Sequence, residues 1–355
     1  MTPSWTFAVD RDELTRTTVA HGPEVRARDG EAVLRVDRVG MTANNVTYAV
    51  LGESFRYWRF FPPDGRGLEA GWGLVPLWGF AEVVASTVAG VEVGQRVYGY
   101  LPPASHLVVR PERVDGTGFR DGSPHRADLP SAYNAYRLTT GDPAYRVDEE
   151  DLLVLFRPLF FTSFMLADQV VDNGFYGAAA VVLSSASSKT AYAAAFELRG
   201  RGARVVGLTS PGNVAYTASL GCYDDVLSYA QVETLTPVPT AYLDLSGAPA
   251  TRAALREHLG DHLVRDIAVG LTYQIPNIEA AGEFFFAPVG MRERAADWGR
   301  DELDRRFSVA WRRFVDALGD RVDIQVGHGP EALRTAWLAA VAGRMPARVG
   351  QILRL

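Results

Sequence analysis

One lysine, Lys189, stands among the 36 lysine and arginine residues of this 355-residue chain, and it directly follows Ser184-Ser185-Ala186-Ser187-Ser188. Small side chains let a backbone approach a ligand, and a lysine is a slim point charge where an arginine is a planar fork. A cation at a helix start opposes the macrodipole unless an anion lies beside it. The stretch therefore reads as a phosphate cradle with Ser185, Ser187, Ser188, Lys189 and Thr190 as its donors; a solvated surface lysine is the plainer alternative. Neither glycine fingerprint of a nucleotide turn is present here: G-x-G-x-x-G is missing, and Leu183 and Ser188 occupy the two glycine positions of a P-loop. Farther on, Leu208-Thr209-Ser210-Pro211-Gly212-Asn213 lacks the Asp or Glu that binds a ribose 2'-hydroxyl in NAD sites. A 2'-phosphate is therefore tolerated, with Thr209, Ser210 and Asn213 as donors, and NADPH is preferred while NAD stays open.

Other reactive groups are few. The only cysteine, Cys222, excludes a disulfide framework and a multi-cysteine zinc site. His258 and His262 have the spacing of two helical metal ligands, but Gly260 breaks the helix between them and no third ligand is evident, so no metal is expected. Arg56-Tyr57-Trp58-Arg59-Phe60-Phe61-Pro62 combines aromatic rings with two cations. Arg56, Trp58 and Arg59 suit the wall of a pocket for an acidic or acyl substrate, and the segment equally suits a hydrophobic loop between lobes.

The elements that must position these groups follow from periodicity. Residues 178–183 are a continuous apolar run, as in parallel strands buried on both faces. Residues 191–198 are helix formers, and 204–208, 225–227, 241–245 and 265–271 predict four more strands, with a helix closing at 217–221. Strands alternating with helices predict right-handed crossovers and a doubly wound parallel sheet. The first third has another rhythm: 31–39 alternates at period two, and 78–88, 95–100 and 106–109 predict short strands of a small barrel or sandwich. Residues 159–171 have helical spacing with Gly174 as C-cap, and 115–145, rich in Gly, Pro, Asp and Ser, read as an excursion or linker near the lobe boundary.

Composition narrows the class. Length predicts two domains, and 47% hydrophobic with 22% charged residues is globular. A net charge of −6 without an arginine-rich run gives no footprint for nucleic acid. No stretch reaches the roughly 18 uncharged apolar residues of a membrane span. The N-terminus lacks a basic segment followed by an apolar run, so a cytoplasmic location is expected.

In order and spacing, these segments resemble the medium-chain dehydrogenase/reductase superfamily on its zinc-free quinone oxidoreductase and enoyl reductase side, and within it a group carrying a domain-of-unknown-function label. Asn44-Asn45-Val46-Thr47-Tyr48 is similar to the superfamily's Asn-Pro-x-Asp-Tyr stretch, and 91–99 to its barrel signature V-x-x-x-x-x-G-D-R-V-x-G. Pro158 to Phe164 resembles its Pro-Leu-x-x-x-Thr-Ala helix, Leu220-Gly221-Cys222 stands where Leu-Gly-Ala is usual, and 329–333 through 348–351 resemble its closing helix and strand. The resemblance implies an α/β protein: a GroES-like β-barrel catalytic domain over 1–150, completed by 290–355, and a Rossmann cofactor domain over 151–289. It further implies Tyr48 as proton donor, Asn44 and Asn45 orienting ring or substrate, and Phe80 in the substrate pocket. Thr162, Ser246, Gly270, Thr272, Phe285 and Phe286 would make nicotinamide-side contacts. A homodimer and a small-molecule substrate complete the expectation. Asn and Thr around the first zinc position, and Gly79-Phe80-Ala81 at the second, speak against catalytic zinc. The glycines lost at Ser185, Ser188, Lys189 and Ala191 keep a second reading open, a non-redox lyase, isomerase or binding protein on the same scaffold.

Overall fold

The computed structural model describes residues 4–269, 283–285 and 287–355. They form two compact units, residues 1–155 with 323–355 and residues 156–322.

The first unit is built on antiparallel strands. β1 (Ser4–Asp10) pairs with β2 (Thr17–Gly22) and with the two-residue β4 (Trp72–Gly73), which lies between β3 (Ala32–Met41) and β5 (Leu77–Ser86) in the chain. β3 pairs with β5, and β5 with β6 (Arg96–Leu101), while β7 (His106–Val109) also joins β3. The alternation predicted at 31–39 is seen in β3, where Leu34 and Val36 point inward and Arg35 is exposed. A short helix, α1 (Ala43–Val50), follows β3.

The segment expected as an excursion or linker is ordered structure. β8 (Pro111–Asp115), β9 (Gly118–Asp121) and β10 (Ala135–Leu138) extend the same sheet. Its Gly and Asp residues make tight turns: Asp115 Oδ1 accepts from the N–H groups of Thr117 and Gly118, and Asp121 Oδ1 accepts from that of Ser123. Gly118, at φ 145°, is the residue whose Cβ would stand 2.0 Å from the Tyr136 carbonyl oxygen.

α2 (Glu150–Asp172) leads into the second unit and is longer than its predicted core at both ends. By length and composition it is the one helix among the described residues apolar enough to cross a membrane, yet 61% of its most apolar window is buried, as in a core helix. β11 (Ala180–Leu183), β12 (Val205–Thr209), β13 (Asp225–Ser228), β14 (Thr240–Asp244), β15 (Leu263–Ala268) and β16 (Glu283–Phe284) form one parallel sheet in the order β13-β12-β11-β14-β15-β16. The helices α3 (Lys189–Arg199), α4 (Val214–Ser219) and α5 (Pro249–Leu259) supply crossovers. The order reverses at β11, which places the ligand crevice of such a sheet at the carboxyl end of that strand.

The helices α6 (Ala287–Trp298) and α7 (Arg300–Leu318) remain in the second unit, and the return to the first comes at residue 323, where residue 290 had been expected. The reason is aromatic: Phe307, Trp311 and Phe314 of α7 lie 5.6, 5.5 and 4.9 Å from the ring of Phe160 in α2. The returning β17 (Asp323–His328), α8 (Gly329–Val341) and β18 (Val349–Arg354) complete the first sheet, with β18 antiparallel to the end of β3.

Candidate functional site

The Ser184–Lys189 turn follows β11 and opens α3, as its composition predicts. Ser185 adopts φ 52°, the left-handed conformation that a nucleotide turn ordinarily gives to glycine. Ala186 donates its N–H to the Leu208 carbonyl at 3.0 Å, and this approach to β12 needs Gly207, whose Cβ would stand 2.8 Å from that of Ala186. Ser188 is the N-cap of α3 and accepts the Ala191 N–H at 3.3 Å. Lys189 and Thr190 are therefore the first two residues of the helix, and Ser163 of α2 anchors this end by donating to the Thr190 carbonyl at 2.7 Å. Lys189 is half-buried, and desolvation holds its ammonium down to about 8.

Four of the predicted cofactor residues converge beside the turn. Thr209 Oγ1 and Asn213 Nδ2 both donate to Ser187 Oγ at 3.2 Å, and Asn213 Nδ2 also reaches Ser210 Oγ at 3.0 Å. The cluster is neutral and free of carboxylate, so it lacks the acidic residue that binds a ribose 2'-hydroxyl in NAD sites. Across β11 the organising group is Asp244, which was not foreseen. Its Oδ1 accepts from Ser184 Oγ (2.8 Å), Ser246 N (3.0 Å), Ser246 Oγ (2.8 Å) and Gly247 N (3.0 Å). Ser246 is thus engaged in holding the strand end. The Asp-x-Ser-Gly spacing of an Asx turn was the available signal. Tyr229 was also missed: its hydroxyl accepts the Ser185 N–H at 2.9 Å.

In the first unit Tyr48 is buried on α1, and its oxygen accepts Trp78 Nε1–H at 3.2 Å. Burial and the Tyr57 phenol push it well above the ordinary tyrosine value, with the Trp78 and Asn44 side chains acting the other way. Asn44 is thus one of the groups that lower the Tyr48 value, whereas Asn45 does another job. The buried Asn45 accepts the Thr42 N–H at 2.8 Å and donates to the Pro76 carbonyl at 3.0 Å, which caps α1 and ties it to β5's approach. Around Tyr48 stand Tyr57, Tyr100 and Tyr133, with ring centroids 4.7 Å (48–57), 5.7 Å (48–100), 4.8 Å (100–133) and 6.1 Å (57–133) apart. No periodicity links positions so far apart in the chain, so this cluster had no local signal.

At the expected substrate wall the side chains are engaged in packing and ion pairs. Trp58 is buried against Gly52 and Gly73, where any Cβ would come within 2.0 and 2.6 Å of its ring, and Phe80 is 0% exposed beneath the Arg96 guanidinium. Arg59 holds Asp128 through two bonds of 2.9 Å, and Arg56 adds a third at 3.1 Å, so both cations are engaged in a surface ion pair. Thr162 donates to the Pro158 carbonyl one turn back in α2, and Phe285 is buried with its N–H on the Ala268 carbonyl. Gly270, Thr272 and Phe286 lie outside the described residues. Cys222 is buried, which pushes its thiol up to about 12 and makes it a poor nucleophile. His258 is bound to the Leu235 carbonyl, and no group of three metal-ligating side chains occurs among the described residues.

Solved structures share this architecture along nearly the whole chain. CurA from Vibrio vulnificus, in complex with NADPH, aligns with a TM-score of 0.65 at 12% identity over 99% of this chain and 98% of its own. JamJ enoyl reductase in its apo form gives 0.58 at 13% identity over 100% and 99%. The quinone oxidoreductase from Coxiella burnetii gives 0.54 at 14% identity over 100% of both chains. The fold is that of the medium-chain dehydrogenases and reductases, a GroES-like domain with a Rossmann domain. No curated protein matches the chain. It belongs to the family described as "Protein of unknown function (DUF2855)", which matches residues 39–346.

Proposed function

We propose that the chain is a zinc-independent, NADPH-dependent reductase acting on an enone, quinone, acyl thioester or aldehyde. The observation that carries this reading is the polar set beside the turn: Ser187, Thr209, Ser210 and Asn213 in mutual contact, with the Lys189 ammonium at the helix start and no carboxylate at the end of β12. Such a set suits a phosphate on the ribose, where an NAD site carries Asp or Glu. The likeness to CurA in complex with NADPH supports the same choice. Bound NADPH supplies a hydride for an electron-poor carbon. Lys189 and Thr190 bind phosphate at the start of α3, and the Ser187 cluster orients the ribose end. Tyr48 holds a proton at its hydroxyl for the reduced substrate, and Asn44 orients that hydroxyl. A homodimer is part of the proposal, and light scattering of the purified chain tests it.

The experiment for the function is titration with NADPH and NADH, following energy transfer from the seven tryptophans. NADPH binding that weakens more than about tenfold, ~1.4 kcal/mol, in Lys189→Ala supports the reading. Failure of both nucleotides to bind sinks it. One observation favours the alternative of a scaffold turned to other chemistry: the Tyr229 hydroxyl already takes the Ser185 N–H, a donor that a phosphate oxygen would otherwise use.

A further inference from the structure

The crossover from β13 to β14 is built differently from its neighbours. β11, β12 and β14 are each followed by an α-helix, but β13 returns to β14 through a short 3₁₀ turn, Tyr229–Thr234, and the stretch Leu235-Thr236-Pro237-Val238-Pro239. The two prolines lack an N–H, so this stretch cannot continue as helix. Val232 and Leu235 reach the sheet and pack with Val206, Leu208 and Tyr242. The amino-terminal half of the same face is left without a helix over it, although parallel sheets are ordinarily covered on both faces. Alternate residues of neighbouring strands line up there: Val182 stands beside Val206 and Val206 beside Asp225, and two residues earlier Ala180 stands beside Thr240. A cavity of about 270 Å³ lies against them, lined further by Leu235, Val238 and Leu259 of α5.

Its floor is apolar and its rim is charged. Val182, Val206 and Leu259 are buried, whereas Arg204, just before β12, and Asp225, opening β13, are exposed and meet at 2.9 Å. A solvated pair of this kind contributes little to the fold. Arg204 uses only Nη2 on the carboxylate, so Nε and Nη1 keep their capacity to donate.

We propose that this cavity binds a free α-amino acid with an apolar side chain, of the size of leucine or phenylalanine. The side chain of the ligand lies on Val182, Val206 and Leu259, its carboxylate takes the open donors of Arg204, and its ammonium meets Asp225. A zwitterion complements both members of the pair at once. A simple carboxylate gains Arg204 but is set against Asp225, and a simple amine gains Asp225 but is set against Arg204. The volume suits one such molecule and is too small for a dinucleotide. The cavity lies at the amino end of the sheet, whereas the Ser184–Lys189 turn follows the carboxyl end of β11. The two sites are separate, and the inference is independent of the reductase reading.

The test is calorimetric titration of the full chain with L-leucine and L-phenylalanine, beside 4-methylpentanoate and 3-methylbutylamine as carboxylate-only and ammonium-only counterparts. One of the amino acids should bind saturably, raise the melting temperature, and bind at least about tenfold more tightly than either counterpart. Arg204→Gln and Asp225→Asn change exposed positions and should keep the native circular dichroism, yet each should weaken binding by at least about tenfold. In spectra of methyl-labelled protein the Leu227 and Val238 resonances should move on binding, while that of Leu303 in α7 stays in place. Absence of saturable binding up to about 10 mM amino acid overturns the proposal. So does affinity unchanged in both variants, or 4-methylpentanoate binding as tightly as the amino acid, which would make the cavity a plain carboxylate site.

Discussion

Lys189 is the residue on which cofactor binding should titrate. Desolvation lowers its folded-state value from 10.5 to about 8, so between those values the unfolded chain holds a proton that the folded chain has released. Stability without ligand therefore rises as pH increases through that window, and the contribution is flat below it. Binding has the opposite sign, because only the ammonium attracts phosphate. NADPH affinity should hold below about pH 8 and fall by up to about tenfold per unit above it. Lys189→Met should flatten both curves, and calorimetry with and without NADPH checks this; parallel curves for native and variant protein refute it. Tyr100 offers a contrast. Its hydroxyl is buried without a partner, whereas the Tyr136 hydroxyl donates to the Tyr100 carbonyl at 2.8 Å and accepts from Arg126 Nη1 at 3.2 Å. In urea unfolding, Tyr100→Phe should be neutral or stabilising by ~1 kcal/mol, and Tyr136→Phe should cost roughly 1–3 kcal/mol.

The turn between β11 and α3 shows how an element replaces a fingerprint. Glycine-rich nucleotide turns gain close approach from missing side chains. Here the approach is made by Ala186 against Gly207 of β12, with Ser185 accepting the left-handed conformation. Gly207→Ala should cost about 1–3 kcal/mol by overpacking and weaken NADPH binding together with stability, which a thermal melt and a nucleotide titration on the same sample would read. On the other side of β11, Asp244 accepts four hydrogen bonds through one oxygen and faces Arg252 at 3.8 Å. Asp244→Ala leaves several buried donors without their acceptor while Arg252 keeps Asp266 at 2.9 Å, so a loss of roughly 1–3 kcal/mol is expected in chemical denaturation. A loss below 1 kcal/mol would show that these donors find water or other partners.

For the molecule as a whole, the first unit depends on a segment more than 160 residues away from the rest of its sheet. β18 covers the edge of β3 at Arg38–Met41, and Leu333, Trp337, Ile352 and Leu353 are buried there. Removing residues 323–355 exposes that edge and opens the core, so the truncated chain should lose the first unit's cooperative unfolding transition and aggregate; a truncated protein that melts as the full chain does would contradict this. How much of this was legible in the sequence depends on range. The parallel sheet was readable because residues 178–183 and 204–208 carry their own apolar runs, and a crossover has one favoured hand. The turn and helix start at Ser184–Lys189 were readable because small residues and the Ser188 cap lie within one turn. Residues 115–145 misled because Gly, Pro and Asp mark tight hairpin turns as well as linkers. The burial of Trp58 and Phe80 was not readable, because an aromatic ring looks the same in a pocket wall and in a core until its neighbours are known. Local pattern and short-range chemistry thus determined the two architectures and the turn that opens α3. Only the tertiary structure decided that Thr209 and Asn213 meet at Ser187, that Asp244 organises the strand end, and that Tyr48, Tyr57, Tyr100 and Tyr133 gather. Those are contacts between distant parts of the chain, and burial, which sets their chemistry, exists only after folding.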